Sequence, residues 1–158
     1  MGYRHGAHTV FEIHVHLVWT TKYRKPVMRG DVGLRVREVI RQICREEEVD
    51  ILKGHVSKDH VHLFASIPPQ VTISRLVQRL KGKSSHSLLG EFAHLRKAFW
   101  GRHLWARGYF CCSSGNVTDE AIAAYIESSR TRRRTRISEL RARRAPRRGR
   151  RSPRLEPA

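Results

Sequence analysis

Two histidines one residue apart stand out in the run Lys58-Asp59-His60-Val61-His62-Leu63-Phe64. On a β-strand, residues i and i+2 project from the same face, so His60 and His62 can meet one divalent metal ion while Val61, Leu63 and Ala65 turn to the other side. The second reactive group is the tyrosine in Thr118-Asp119-Glu120-Ala121-Ile122-Ala123-Ala124-Tyr125-Ile126-Glu127. A phenol is a poor nucleophile until a base or a metal assists it, and a metal-polarised phosphate is a suitable target. Paired with the basic charge described next, these groups point to cleavage of a nucleic acid strand through a covalent tyrosine intermediate. Neither motif is specific alone. His14-Val15-His16 repeats the first pattern, and its histidines read as sheet-face residues or supports for the site, with His16 the better placed to lie near it. Tyr125 shares a three-and-four spacing with Ile122 and Ile126, so a core role stays open beside the nucleophilic one.

The chain has 158 residues with 32 Lys and Arg against 14 Asp and Glu, a formal charge of +18. One domain with one core fits that length. Such an excess favours a polyanionic partner, nucleic acid first. From Arg130 to Ala158 there are 13 arginines against Glu139 and Glu156, which gives +11 and leaves +7 on the preceding residues. Cys44, Cys111 and Cys112 fit no metal-ligand spacing and read as three reduced thiols. No stretch has the length or apolar content of a membrane span, and the first residues have no signal core, so a cytoplasmic protein is expected.

The elements that must position these groups can be read from periodicity. Residues 9 to 20 alternate as a strand, and residues 31 to 48 form a helix with Val32, Val36, Val39, Ile40 and Ile43 along one side and Asp31 as N-cap. Residues 49 to 56 and 60 to 67 make a hairpin around Ser57-Lys58-Asp59. Pro68-Pro69 ends it, and a helix starts near Thr72 with Ile73, Leu76, Val77 and Leu80 inward. A looser segment, 88 to 107, carries Phe99, Trp100 and Trp105, read as core rather than as a base-stacking platform. A fourth strand at 108 to 114 precedes a last helix from about Thr118 to Leu140. The order β-α-β-β-α-β-α predicts an α+β, ferredoxin-like (split β-α-β, RRM-like) antiparallel sheet with helices on one face and an added C-terminal helix carrying the tyrosine. The first and third strands are then central, with His60 and His62 on the face opposite the helices, the face on which related folds bind single strands. The expected organisation is one domain over 1–140 and a disordered arginine-rich tail over 141–158. Lys81, Lys83, Ser84 and Ser85 form a basic, hydroxyl-rich patch that is either a DNA-backbone contact or a solvated helix end; Lys22, Arg24 and Lys25 pose the same choice after the first strand.

Across 8–128 the chain resembles the single-tyrosine HUH transposases of the insertion-sequence 200/605 type. The blocks that carry the resemblance are His14 to Val27 (HVHLVWTTKYRKPV), Asp59-His60-Val61-His62-Leu63, Ser66-Ile67-Pro68-Pro69, Leu80 to Ser85 (LKGKSS), Leu104 to Phe110 (LWARGYF) and Tyr125-Ile126-Glu127. The resemblance implies that His60 and His62 hold Mg2+ or Mn2+ against a phosphate of single-stranded DNA. It also implies that Tyr125 attacks the phosphorus to leave a 5′-phosphotyrosine and a free 3′-hydroxyl. No nucleotide cofactor is needed, because the phosphotyrosine keeps the bond energy for rejoining. It further implies DNA hairpins as partners and a homodimer whose tyrosine helix can act in trans. Ser129 departs from the pattern: it stands where the family has a glutamine as third metal ligand, and its shorter side chain would act through a water. A catalytically impaired or domesticated hairpin-binding protein of the repeat-palindrome-associated type is the alternative.

Overall fold

In the computed structural model, the described residues are 2–99, 101, 103–113 and 120–128. Three segments of seven, seven and seven residues supply most of the sheet: β3 (His14–Thr20), β4 (Asp50–Val56) and β5 (His60–Ser66). With β6 (Phe110–Ser113) they form a four-stranded sheet in the order β4-β5-β3-β6, antiparallel throughout. This is the split β-α-β arrangement expected, with the histidine-bearing strands β3 and β5 at the centre. A short hairpin of β1 (Arg4–His5) and β2 (Val10–Phe11) precedes it and was not foreseen. Arg4 straps that hairpin to the sheet end: its guanidinium donates to the Ser66 and Glu48 carbonyls at 3.1 and 2.7 Å and meets Asp50 at 3.0 Å.

Alternation in β3 and β5 sorts their side chains. Val15, Leu17, Trp19, Val61, Leu63 and Ala65 enter the core, where they meet α1 (Asp31–Glu46) and α2 (Ile73–Glu91). The apolar stripe of α1, Val32, Val36, Val39, Ile40 and Ile43, is buried there with Cys44. That burial pushes the Cys44 thiol up to about 12, so it is inert at neutral pH. Asp31 is not the N-cap: Gly30, at φ 54, occupies that position, and Asp31 stands in the first turn where its charge opposes the helix dipole.

Helix α2 runs unbroken through Lys81-Gly82-Lys83, because the stripe Leu76, Leu80, Ser84 and Leu88 continues on the buried side. The Ser84 hydroxyl donates to the Leu80 carbonyl at 2.6 Å, satisfying the one polar group in that stripe. A further short helix, α3 (Ala93–Ala98), occupies part of the segment expected to be loose. Residues 120–128 are helical and carry Tyr125. Expectations for Trp100, Ser129 and the arginine tail fall outside the described residues. Among the described residues, no helix is long and apolar enough to cross a membrane.

Candidate active site on the open face of the sheet

The register of the sheet fixes which side chains share the histidine face. Directly opposed residues in an antiparallel pair lie on one side, so His55, His62, Val18 and Phe110 form a row across all four strands. His60 faces Thr20 one step along, and Phe64, His16 and Cys112 form the row on the other flank. Tyr125 rests over this face, its ring 5.6 Å from that of Phe110 at 46°. Phe110 is two strands from His62, so about 10 Å separates their backbones. Val18 and Ile122 are buried yet outside the main core cluster, as expected if the helix 120–128 covers this end of the open face.

A buried carboxylate organises the site. Asp59 is 4% exposed, and its Oδ1 accepts from His60 Nδ1 at 2.9 Å. Its Oδ2 accepts from Arg24 Nε at 3.1 Å and Nη2 at 2.8 Å. Burial would raise the Asp59 pKa, but the hydrogen bonds from His60 and Arg24 outweigh it and hold the carboxyl below its usual value. With Nδ1 committed as donor, His60 presents Nε2 as the free lone pair, the form in which imidazole coordinates metals. The remaining Arg24 terminus, Nη1, donates to the Ile126 carbonyl at 3.1 Å, on the helix turn that carries Tyr125.

His62 is placed differently. Its Nε2 lies 3.0 Å from His16 Nδ1, so one ring donates a proton to the other. His16 stacks on Phe64 at 4.2 Å and 18°. Burial, then the neighbouring His16, His60, His55 and Lys53, lower the His62 pKa, and burial lowers that of His16. The pair is therefore neutral at neutral pH, as ligands must be. In type, imidazoles sharing one face suit a divalent metal, and coordination by His62 Nε2 would mean exchanging its bond to His16. Among the described residues no three His, Cys, Asp or Glu are grouped to hold a metal, and position 129 lies outside them.

Comparison with known proteins accords with this geometry. The sequence profile of the family described as Transposase IS200 like matches residues 9–129, most of the chain and all of the site. The chain belongs to the IS200-like transposase family. The ISDra2 transposase TnpA of Deinococcus radiodurans is 32% identical over 123 residues, 78% of this chain and 88% of that one. A transposase for insertion sequence element IS200 from Salmonella typhimurium is 34% identical over 121 residues, 77% and 79% of the two chains. A crystal structure of a Deinococcus radiodurans protein assigned as a transposase superimposes with TM-score 0.72 at 30% identity, covering 80% of this chain and 97% of that one. A REP-associated tyrosine transposase bound to a REP hairpin shares the fold, with TM-score 0.53 at 13% identity over 76% and 67% of the two chains. DNA cleavage and rejoining is the activity that the transposase family implies.

Within this family member, several basic residues read as DNA contacts are engaged internally. Ser84 is fully buried; besides bonding Leu80 it accepts from Trp105 Nε1 at 2.9 Å, so it ties α2 to the segment before β6 and cannot touch a phosphate. Ser85 Oγ accepts from the Leu104 amide at 3.4 Å. Lys81 donates to the Ala106 and Gly108 carbonyls at 2.7 and 2.9 Å, with its pKa lowered by burial. Lys83 lies 3.3 Å from Glu46. Lys25 donates to the Ala98 carbonyl and sits 5.0 Å over the Phe99 ring. Lys22 lies 5.4 Å over the ring of Tyr23, itself 46% exposed.

Sequence reasoning missed His55 and Asp59 as members of the site, and read Arg24 as a DNA-backbone contact rather than as the partner of Asp59. For His55 a signal existed: a tight hairpin around Ser57-Lys58-Asp59 sets His55 opposite His62. The Arg24 contact spans 35 positions and has no periodic trace in the sequence.

Proposed function

We propose that this chain cleaves and rejoins single-stranded DNA at hairpin-marked ends of a mobile element, with Tyr125 as nucleophile and His60 and His62 as ligands of Mg2+ or Mn2+. The observation that carries the reading is the common face: Tyr125, His60 and His62 stand on one open side of the sheet, opposite the core, in a chain of the transposase family. Tyr125 Oη forms a bond to phosphorus as the bond to the 3′-oxygen breaks. The phenol loses its proton and the leaving oxygen gains one, giving a 5′-phosphotyrosine and a 3′-hydroxyl. A phenol ionises near pH 10, so the attack needs help at neutral pH. The metal supplies charge that polarises the phosphate oxygen. Asp59 fixes the His60 tautomer, and His62 Nε2 would exchange its bond to His16 for the metal. Ser129 would take the place of the family's third ligand, acting through a water. The reverse attack by a 3′-hydroxyl rejoins the strand without nucleotide cofactor.

The same reading includes a homodimer, action at the nucleoid, and a folded unit over 1–140 followed by a tail adding salt-dependent affinity for DNA. The test is incubation of the full chain with Mg2+ or Mn2+ and an end-labelled single-stranded hairpin substrate. An adduct that survives SDS and is lost in Tyr125→Phe supports the reading. Retarded complexes with no adduct under either metal overturn it and leave a hairpin-binding protein instead.

A further inference from the structure

Arg24 stands where a phosphate contact was expected, and its surroundings assign it another task. Its side chain is 14% exposed, and three of its five N–H donors are spent inside the protein, two on Asp59 Oδ2 and one on the Ile126 carbonyl. The backbone there is unusual: Tyr23 and Arg24 both have positive φ, 60° and 49°, though neither is glycine. Such a turn persists only where surrounding contacts determine it, and such turns cluster at functional sites. The contacts are visible: Arg24 N donates to the Thr21 carbonyl at 2.9 Å, and Thr21 Oγ1 to the Lys25 carbonyl at 2.9 Å. The strained turn aims the guanidinium between Asp59 and the helix 120–128. Glu127 Oε2, at 3.8 Å, adds a second carboxylate on the helix side.

Asp59 thus divides its two oxygens between the two halves of the site. Oδ1 holds the His60 ring, and Oδ2 holds the guanidinium that reaches the helix of the nucleophile. We propose that Arg24, braced by Asp59, is a positioning residue that sets the tyrosine helix in register with the His60 imidazole. A planar fork with several fixed donors can do this; a single ammonium cannot span both partners. The proposal rests on the transposase reading only for its kinetic consequence, because the clasp is made by the chain's own residues.

The experiment compares the full-length protein with Arg24→Gln and Arg24→Lys. Hydrogen exchange of the amides in 120–128, in the absence of DNA, should accelerate about tenfold in Arg24→Gln and less in Arg24→Lys. Adduct formation at saturating hairpin DNA should slow by about 10–100-fold in Arg24→Gln, with partial rescue in Arg24→Lys. The DNA concentration for half-saturation should stay within about twofold. Unchanged exchange of 120–128 overturns the clasp. A weakened half-saturation with the saturated rate preserved overturns it in favour of a phosphate contact. If Arg24→Gln does not fold, Arg24→Lys decides by the same exchange readout. Failure of the wild-type protein to form any adduct would count against the transposase reading alone, since exchange still reads the clasp.

Discussion

The chain contains the same tripeptide twice, His14-Val15-His16 and His60-Val61-His62, on adjacent central strands, and the two are not equivalent. Both alternate identically, valine to the core and histidines to the open face. The difference lies in what precedes each pair. Before His60 stands buried Asp59, at 2.9 Å and itself braced by Arg24; near His14 the only carboxylate partner among the described residues is Glu12, 3.9 Å away. His14 and His16 lean on Phe64, at 5.8 Å edge-on and 4.2 Å stacked. A strand pattern thus chooses the face, and a buried carboxylate orients one imidazole on it, that of His60.

The sharpest test of that distinction is removal of a histidine from each pair. His60→Ala or His62→Ala should lower adduct formation about a thousandfold, the several kcal/mol expected of metal polarisation, with hairpin binding retained. An equal loss of binding by gel shift would make these histidines structural.

The carboxylates offer the next contrast. Asp59→Ala leaves the nearly buried Arg24 guanidinium only the exposed Glu127 carboxylate, 3.8 Å away, and should cost about 3 kcal/mol in urea unfolding, whereas Glu12→Ala should stay within about 0.5 kcal/mol. Equal costs would dissolve the contrast between the pairs.

His16 lies between the extremes. His16→Ala frees His62 Nε2 from the bond it must otherwise exchange and should raise calorimetric metal affinity by about fivefold, the net worth of one hydrogen bond. The smallest effect belongs to His14→Ala, within about twofold in adduct rate. A loss like that of His60→Ala would show that both pairs act as ligands.

Much of this was legible in the sequence because the signals are local and periodic. Alternation in 14–20 and 60–66 assigned the faces, and element order gave the sheet β4-β5-β3-β6. The two-residue strands β1 and β2 are too short for any alternation to show. Lys81, Ser84 and Ser85 misled because polarity in a sequence does not reveal a partner: their hydrogen bonds run to Leu80, Leu104, Trp105, Ala106 and Gly108. The left-handed turn at Tyr23 and Arg24 was equally hidden, since glycine or asparagine would have announced it. The Arg24–Asp59–His60 chain is a product of tertiary structure and appears only when distant turns meet.

Beneath the sheet, Trp19 and Trp105 meet edge to face at 6.0 Å. Trp105 Nε1 donates to Ser84, while Trp19 Nε1, wholly buried, has no hydrogen-bond partner among the described residues. Two indoles in such unlike surroundings give the protein an intrinsic fluorescent gauge. Because Trp19 projects away from the histidine face, DNA lying on that face cannot stack on its ring. A change in Trp19 emission on adding DNA would therefore signal strain carried through the thickness of the sheet.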